Sequence, residues 1–215
     1  MEYRTVKGQA SAEFEEKKSI FIGSIARVSN EDEARDFINS IKAEHREARH
    51  NVYAYIIGAN CSIQRYSDDG EPQGTGGIPV LEVIKRNNLT DTVIVVTRYF
   101  GGVLLGASGL VRAYSKAAAM AVKEASIVEK VKAVMLRIKI DYDMLGKIQY
   151  TFSKNNWQID NIEYSDMVEL TIICEKEKLE EIRETLMDIT NNKFTLLDQK
   201  EDIYFKENNK FLIDL

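Results

Sequence analysis

The chain has 215 residues, of which 44% are hydrophobic and 29% are charged, and its net charge at pH 7 is −5. This composition is that of a folded protein rather than a disordered one, and the length fits two domains of about 100 residues each. Residues 1–130 carry 17 Lys and Arg and 17 Asp and Glu, so the excess of acid lies in residues 131–215. Nucleic-acid binding through bulk positive charge is therefore excluded, and such binding would need a local basic patch on the first half.

The sequence also lacks the signs of a secreted or membrane protein. The first residues contain no apolar signal region, and no segment reaches the roughly 18 apolar residues of a membrane span. Cys61 and Cys174 lie far apart without CxxC spacing, which favours two free thiols over a disulfide. No zinc spacing is present. We therefore expect a cytoplasmic protein without a metal or other cofactor.

The first half of the chain predicts a mixed α/β domain. Asn30 can cap a helix, with Glu33 three residues later, and Pro79 can open another. The β-branched run at 92–97 is typical of a buried strand. The predicted elements are strands at 3–10, 12–16, 19–28, 51–58, 63–66 and 92–97, and helices at 30–45, 78–89 and 108–126.

The second half predicts a ferredoxin-like α/β sandwich. Strands at 131–140, 157–165, 167–175 and 193–199 and helices at 141–155 and 178–191 give the order β-α-β-β-α-β. Residues 205–215 form a tail or a short final pairing. The boundary falls near 127–132, so we expect an α+β protein with domains at 1–130 and 131–215.

Eight of the twelve glycines and both prolines lie within residues 70–109, and the glycines fall in two bursts at 67–77 and 97–109. The second burst follows a buried strand and opens a helix, a junction that offers free N–H groups and attracts phosphate or carboxylate. It is neither a Walker A loop nor a dinucleotide fingerprint. The alternative is that the glycines only let a turn pack tightly on the helix. The expected ligand or nucleic-acid contacts are His50, Arg98, Tyr99, Gly101, Gly102, Gly106, Ser108 and Arg112.

The first burst carries three acidic residues, Asp68, Asp69 and Glu71. Such carboxylates can hold Mg²⁺ or act as acid and base. We favour an acidic turn, in which Gly70 takes the positive φ angle, because no third ligand is evident.

The remaining candidates are basic, aromatic and histidine side chains. His50 begins a strand and can approach the acidic loop, but its pairing with Cys61 or Ser108 lacks a nucleophile elbow, so we assign no catalytic residue. Tyr99 and Phe100 can stack on bases, although alternation predicts that one of them faces inward. The basic residues of this half can form one positively charged face, which would consist of Lys17, Lys18, Arg27, Arg49, Arg65, Arg98 and Arg112.

At these residues the chain resembles the YigZ/IMPACT family. The resemblance covers essentially the whole chain, and one departure is Gly76-Gly77-Ile78, where relatives often have Ala-Gly-Lys. The matching residues are Thr97-Arg98-Tyr99-Phe100-Gly101-Gly102 with Gly106 and Gly109, Ser67-Asp68-Asp69-Gly70-Glu71-Pro72, Gly74-Thr75, Lys18-Ser19 before Phe21-Ile22, and His50-Asn51 before Tyr53-Ala54-Tyr55.

The resemblance implies an IMPACT-type N-terminal domain with the βαβ fold shared by a ribosomal protein and the GHMP kinases. It also implies a ferredoxin-like C-terminal domain. Its eukaryotic members regulate translation by binding an activator of a stress-responsive kinase, which suggests RNA, the ribosome or a translation protein as partner. Fold alone does not fix function. We expect a non-enzymatic binding protein; the alternative is a small-ligand or phosphate-binding protein, or an enzyme, that uses the Gly-rich loop before the Ala-rich helix.

Overall fold

The computed structural model describes residues 2–212 and divides the chain into two compact units, residues 1–129 and 130–215. No helix within the described part is long and apolar enough to cross a membrane. The strands of the first unit are β1 Tyr3–Val6, β2 Ala10–Glu16, β3 Ser19–Arg27, β4 His50–Ile57, β5 Ile63–Ser67 and β6 Thr92–Tyr99, and its helices are α1 Glu31–Glu44, α2 Gly77–Arg86 and α3 Ala107–Glu124.

A five-stranded sheet with the order β2-β3-β6-β4-β5 forms the centre of the first unit, and its neighbouring strands are antiparallel. Ile94 and Val96 of β6 lie in the core under α2 and α3, whereas Val93 and Val95 lie in a second core under α1. Because both faces of β6 are covered, the strand is continuously β-branched rather than alternating. The predicted buried strand is confirmed.

Single residues position two helices of this unit, α1 and α3. Asn30 Oδ1 accepts the Glu33 N–H at 2.9 Å, and the Glu33 carboxylate accepts the Ser29 N–H at 2.7 Å, so the predicted cap of α1 is confirmed. The Ala-rich α3 lies tightly on β3, because a Cβ at Gly23 would stand 2.4 Å from the Ala117 carbonyl oxygen. This close contact holds α3 against the sheet, and α3 begins directly after the second Gly-rich segment.

The second unit contains β7 Ile127–Ile140, which begins before the boundary, β8 Gln158–Tyr164, β9 Val168–Glu175, β10 Thr195–Glu207 and β11 Lys210–Leu212, with helices α4 Tyr142–Asn155 and α5 Leu179–Thr190. Its sheet has the order β11-β10-β7-β9-β8. The core forms where α4 and α5 cover one face of this sheet, and Phe152 and Leu186 are fully buried there. The α+β class is confirmed, and the β-α-β-β-α-β order is present.

Among the predicted element bounds that were wrong is the start of β7, which lies at Ile127 rather than at residue 131. The strand predicted at 3–10 ends at Val6, and β2 begins at Ala10 after a turn that contains Gly8. The last long strand does not end at Gln199 but runs to Glu207. Its first nine residues are exposed on both faces, so the alternation that marks a strand is missing there. The short final pairing is confirmed through Leu212, and residues 213–215 lie outside the described part.

Candidate functional site

A buried charged cluster joins the two Gly-rich segments at the end of the sheet. Arg98, near the end of β6, is 4% exposed, and its Nη1 donates to Glu71 Oε1 at 2.6 Å. The Tyr114 hydroxyl of α3 donates to the same oxygen at 2.8 Å. Burial and the Glu71 carboxylate raise the pKa of Tyr114, so the hydroxyl keeps the proton that it donates. We call Glu71, Arg98 and Tyr114 the Arg98 cluster.

Arg98, which the sequence predicts as a ligand contact, is buried in the structure. The Arg98 guanidinium is turned inward, where it neutralises Glu71 and approaches Ser19 Oγ at 3.4 Å. Ser19 Oγ in turn accepts the Gly101 N–H at 3.2 Å. Arg98 therefore holds the first Gly-rich segment, the second and β3 together, and it has little surface left for an external phosphate.

His50 lies beside the acidic loop, as the sequence suggested. Its Nδ1–H donates to the Asp69 carbonyl oxygen at 2.8 Å, because a carbonyl can only accept. That bond leaves Nε2 facing Glu71 Oε1 at 3.8 Å. His50 is thus a largely buried neighbour of the Arg98 cluster.

The acidic side chains of the first burst bind the protein's own groups. Asp68 accepts the N–H groups of Gly74, Gly76 and Gly77 at 2.8–2.9 Å, so it organises the start of α2. Asp69 accepts the Asn51 N–H at 2.6 Å, and it also receives a hydrogen bond from a lysine of α1. Within residues 2–212 no three His, Cys, Asp or Glu side chains gather as a metal site requires. The geometry is that of a shaping turn.

The glycines of the second burst allow a backbone path that other residues would not permit. A Cβ at Gly101 would stand 1.9 Å from the Lys18 carbonyl oxygen, so only glycine fits between this segment and the turn from β2 to β3. Gly102 and Gly106 have φ angles of +81° and +73°. The first helical bond of α3 runs from Leu110 N to Gly106 O, and no side chain caps the helix. The N–H groups of residues 107–109 are therefore free of helical partners.

A cavity of about 250 Å³ along the first turns of α3 is lined by three positively charged side chains. Lys17, Arg112 and Lys116 line it, against a single acid, Glu16, among its lining residues. Lys116 Nζ stands 4.0 Å from the centre of the Phe14 ring. Within residues 2–212, neither Lys17 nor Arg112 forms an ion pair. We call this feature the Arg112 cavity.

An exposed apolar loop borders the same helix start. Phe100 is 37% exposed and Leu104 is 82% exposed, and the Arg49 guanidinium lies 5.3 Å from the centre of the Phe100 ring. Tyr99 points to the opposite face of the sheet, where its hydroxyl lies 3.0 Å from His45 Nδ1. Of the two predicted aromatic contacts, Phe100 is therefore the one that lies with Arg49 beside the second Gly-rich segment.

Sequence reasoning placed Arg112, Ser108 and the glycines on this segment, but it missed two residues. Lys116 follows Arg112 by four positions, which puts both on one face of α3, and that spacing was a usable signal. Tyr114 carried no signal, because its contact with Glu71 spans 43 residues.

Sequence profiles of two domain families match the chain. The Impact N-terminal domain matches residues 17–122, which include both Gly-rich segments, and a domain of unknown function, DUF1949, matches residues 138–193. IMPACT family member YvyE of Bacillus subtilis is 42% identical over 191 residues, which are 89% of this chain and 88% of YvyE. IMPACT family member YigZ of Escherichia coli is 33% identical over 187 residues, 86% of this chain and 92% of YigZ.

A solved structure of a hypothetical protein is also similar, with a TM-score of 0.60 and 30% identity over 91% of this chain and 96% of that one. Fold and matches define a two-domain protein with an Impact N-terminal domain. The chain belongs to the IMPACT family over most of its length, so the resemblance seen in the sequence is confirmed.

Proposed function

We propose that the protein is a non-enzymatic binding protein of translation, and that its first unit binds the phosphate backbone of RNA at the Arg112 cavity. One observation carries this proposal: three basic side chains line one cavity along the first turns of α3, a helix without a side-chain cap, although residues 1–130 carry as many acidic as basic residues. A phosphate group is stabilised both by guanidinium and ammonium donors and by the free N–H groups of a helix start.

The surroundings of the cavity suit a nucleic acid better than a free anion. Phe100 and Leu104 are exposed on the loop that precedes α3, and a flat aromatic ring can stack on any unpaired base. The Arg49 guanidinium, beside the Phe100 ring, adds a positive charge near the second Gly-rich segment. Single-stranded RNA combines the charges and the bases that this face can engage.

The proposed role in translation rests on the family to which the chain belongs. The resemblance to the YigZ/IMPACT family implies a role in translation, and ribosomal RNA is then the natural source of the phosphate backbone. An acidic segment of a translation protein is the competing partner, and it would meet the same cations without using base stacking.

A small phosphate ligand is the second candidate. Ser108 is exposed in the first turn of α3, where a hydroxyl can add a donor to a bound phosphate. The candidate ranks lower because Arg98 and Glu71 pair with each other and His50 bonds to Asp69, and all three side chains are largely buried. Nucleotide-induced thermal stabilisation that is lost in Ser108→Ala, without RNA affinity, would favour it.

The proposal is tested by RNA binding to the full chain. Arg112→Ala combined with Lys116→Ala should weaken binding of a fluorescent single-stranded RNA at least about tenfold at low salt and reduce the salt slope by about one to two. Lys123→Ala is the control, because it removes an exposed lysine from the other end of α3. An equal loss in the control variant, or no RNA binding by the unchanged chain, would refute the RNA proposal. Binding of an acidic peptide instead would identify the competing partner.

A further inference from the structure

The second unit contains a cavity of about 340 Å³ that the proposed RNA site does not use. Its lining residues come from the junction of α4 and β8, the end of β9, the start of α5 and the hairpin of β10 and β11. All of them belong to the second unit. The volume is at the lower end of the range of about 300–1,000 Å³ that small-molecule sites occupy. It suits a ligand of roughly one aromatic ring with a short polar part.

Two aromatic side chains form walls of this cavity, and both are held in place by other contacts. Trp157 packs edge-on against Phe152 at 5.3 Å between ring centres. The Phe211 N–H donates to Gln158 Oε1 at 2.7 Å, and the Phe211 carbonyl accepts from Gln158 Nε2 at 3.1 Å. The Gln158 amide therefore pairs with Phe211 as a neighbouring strand would. Walls that are ordered before binding reduce the entropy lost when a ligand enters.

The charged residues of the cavity balance one another. Lys178 Nζ lies 2.9 Å from Glu181 Oε2, and both side chains are about half exposed, at 53% and 52%. Lys206 pairs with Glu175. A phosphate group would meet as many carboxylates as ammonium groups, so this cavity does not favour a nucleotide. A zwitterion carries one charge of each sign and matches the balance.

The lysines and glutamates of this cavity can leave each other and pair with a charged ligand at little cost in free energy. Exposed ion pairs contribute little to stability, so the Lys178–Glu181 pair can open toward a bound ammonium and carboxylate at small cost. The aromatic walls then contact the apolar part of the ligand. Aromatic pairs are stabilised by their ring geometry in addition to the burial of their surface.

We propose that this cavity binds a free α-amino acid with an aromatic side chain. The ring lies against Trp157 and Phe211, and the zwitterionic end lies among the two lysines and the two glutamates. The proposal is independent of RNA binding, because it concerns a different unit and a ligand without phosphate.

The chain supplies its own probe for this site, since Trp157 is its only tryptophan. Titration of the full chain with L-phenylalanine, under excitation selective for tryptophan, should give a saturable fluorescence change with a Kd between about 10 µM and 1 mM. N-acetyl-L-phenylalaninamide keeps the ring but lacks both charges, and it should bind at least about tenfold more weakly.

Matched variants test the role of the charges. Lys178→Gln and Glu181→Gln should each weaken L-phenylalanine binding at least about fivefold while the melting temperature stays unchanged, because both residues are on the surface. Lys176→Gln is the control: Lys176 pairs with Glu201 at 2.9 Å and does not line the cavity. The absence of saturation up to about 10 mM, equal binding of the uncharged amide, or an equal loss in Lys176→Gln would each overturn the proposal.

Discussion

Arg98 and Arg112 belong to the same Gly-rich stretch, but their surroundings give them different roles. Arg98 is 4% exposed and its guanidinium contacts Glu71, whereas Arg112 is exposed beside a cavity. Removal of one partner from a buried ion pair leaves the other charge without water and without a counterion. The fold therefore depends on Arg98, and the proposed binding depends on Arg112.

Loss of Arg98 should cost much of the stability of the first unit. Arg98→Met leaves the Glu71 carboxylate buried and unpaired, so the free energy of unfolding should fall by about 3–5 kcal/mol in urea denaturation. Addition of Glu71→Leu should recover part of that loss, since neither charge of this pair then remains buried.

A matched exposed pair provides the control for this prediction. Arg35 lies 2.9 Å from Asp32, with side chains 61% and 86% exposed, so Arg35→Met should change the free energy of unfolding by less than about 1 kcal/mol. An Arg98→Met variant as stable as the Arg35→Met variant would show that the Arg98 cluster does not hold the Gly-rich segments together.

At the scale of elements, the second Gly-rich segment is shaped by one close contact and two left-handed positions. Gly101 lies against the Lys18 carbonyl, whereas Gly102 and Gly106 have open space around a Cβ and need glycine for their positive φ angles. A side chain at these positions has different energetic costs. At Gly101 it would clash with backbone and force the chain to move, whereas at Gly102 or Gly106 it would only hold the residue at an unfavourable φ angle.

Three glycine substitutions should separate these effects. Gly101→Ala should lower the free energy of unfolding by more than about 2 kcal/mol, and Gly102→Ala by about 1 kcal/mol. Gly8→Ala is the control, since a Cβ there meets nothing within 4 Å and no positive φ angle is required. Urea denaturation of the three variants gives the ranking, and a Gly101→Ala variant as stable as Gly8→Ala would contradict it.

The elements that sequence predicted well are those with a local signal. The cap of α1 and the β-branched run of β6 each lie within a few residues, so they could be read directly. The length of β10 could not, because its first nine residues show no buried face. The Arg98 cluster was also out of reach, since its bonds join residues 27 and 43 positions apart and depend on the packing of α3.

At the scale of the whole molecule, charge and function are distributed unequally. The net charge of −5 belongs to residues 131–215, whereas the first 130 residues are neutral and concentrate cations at the Arg112 cavity. An acidic protein that binds RNA must do so through a local patch, and such binding weakens as salt screens the few contacts that it makes. The proposed role in translation makes the ribosome the first target to examine.

Co-sedimentation of the full chain with ribosomes at graded salt tests the central claim most directly. We expect the unchanged chain and Lys123→Ala to sediment with ribosomes at low salt and to be released as salt rises, because the contacts are electrostatic. The variant with Arg112→Ala and Lys116→Ala should remain in the supernatant throughout. Absence of the unchanged chain from the ribosome pellet at every salt concentration, or sedimentation of the double variant to the same extent, would contradict RNA binding at the Arg112 cavity.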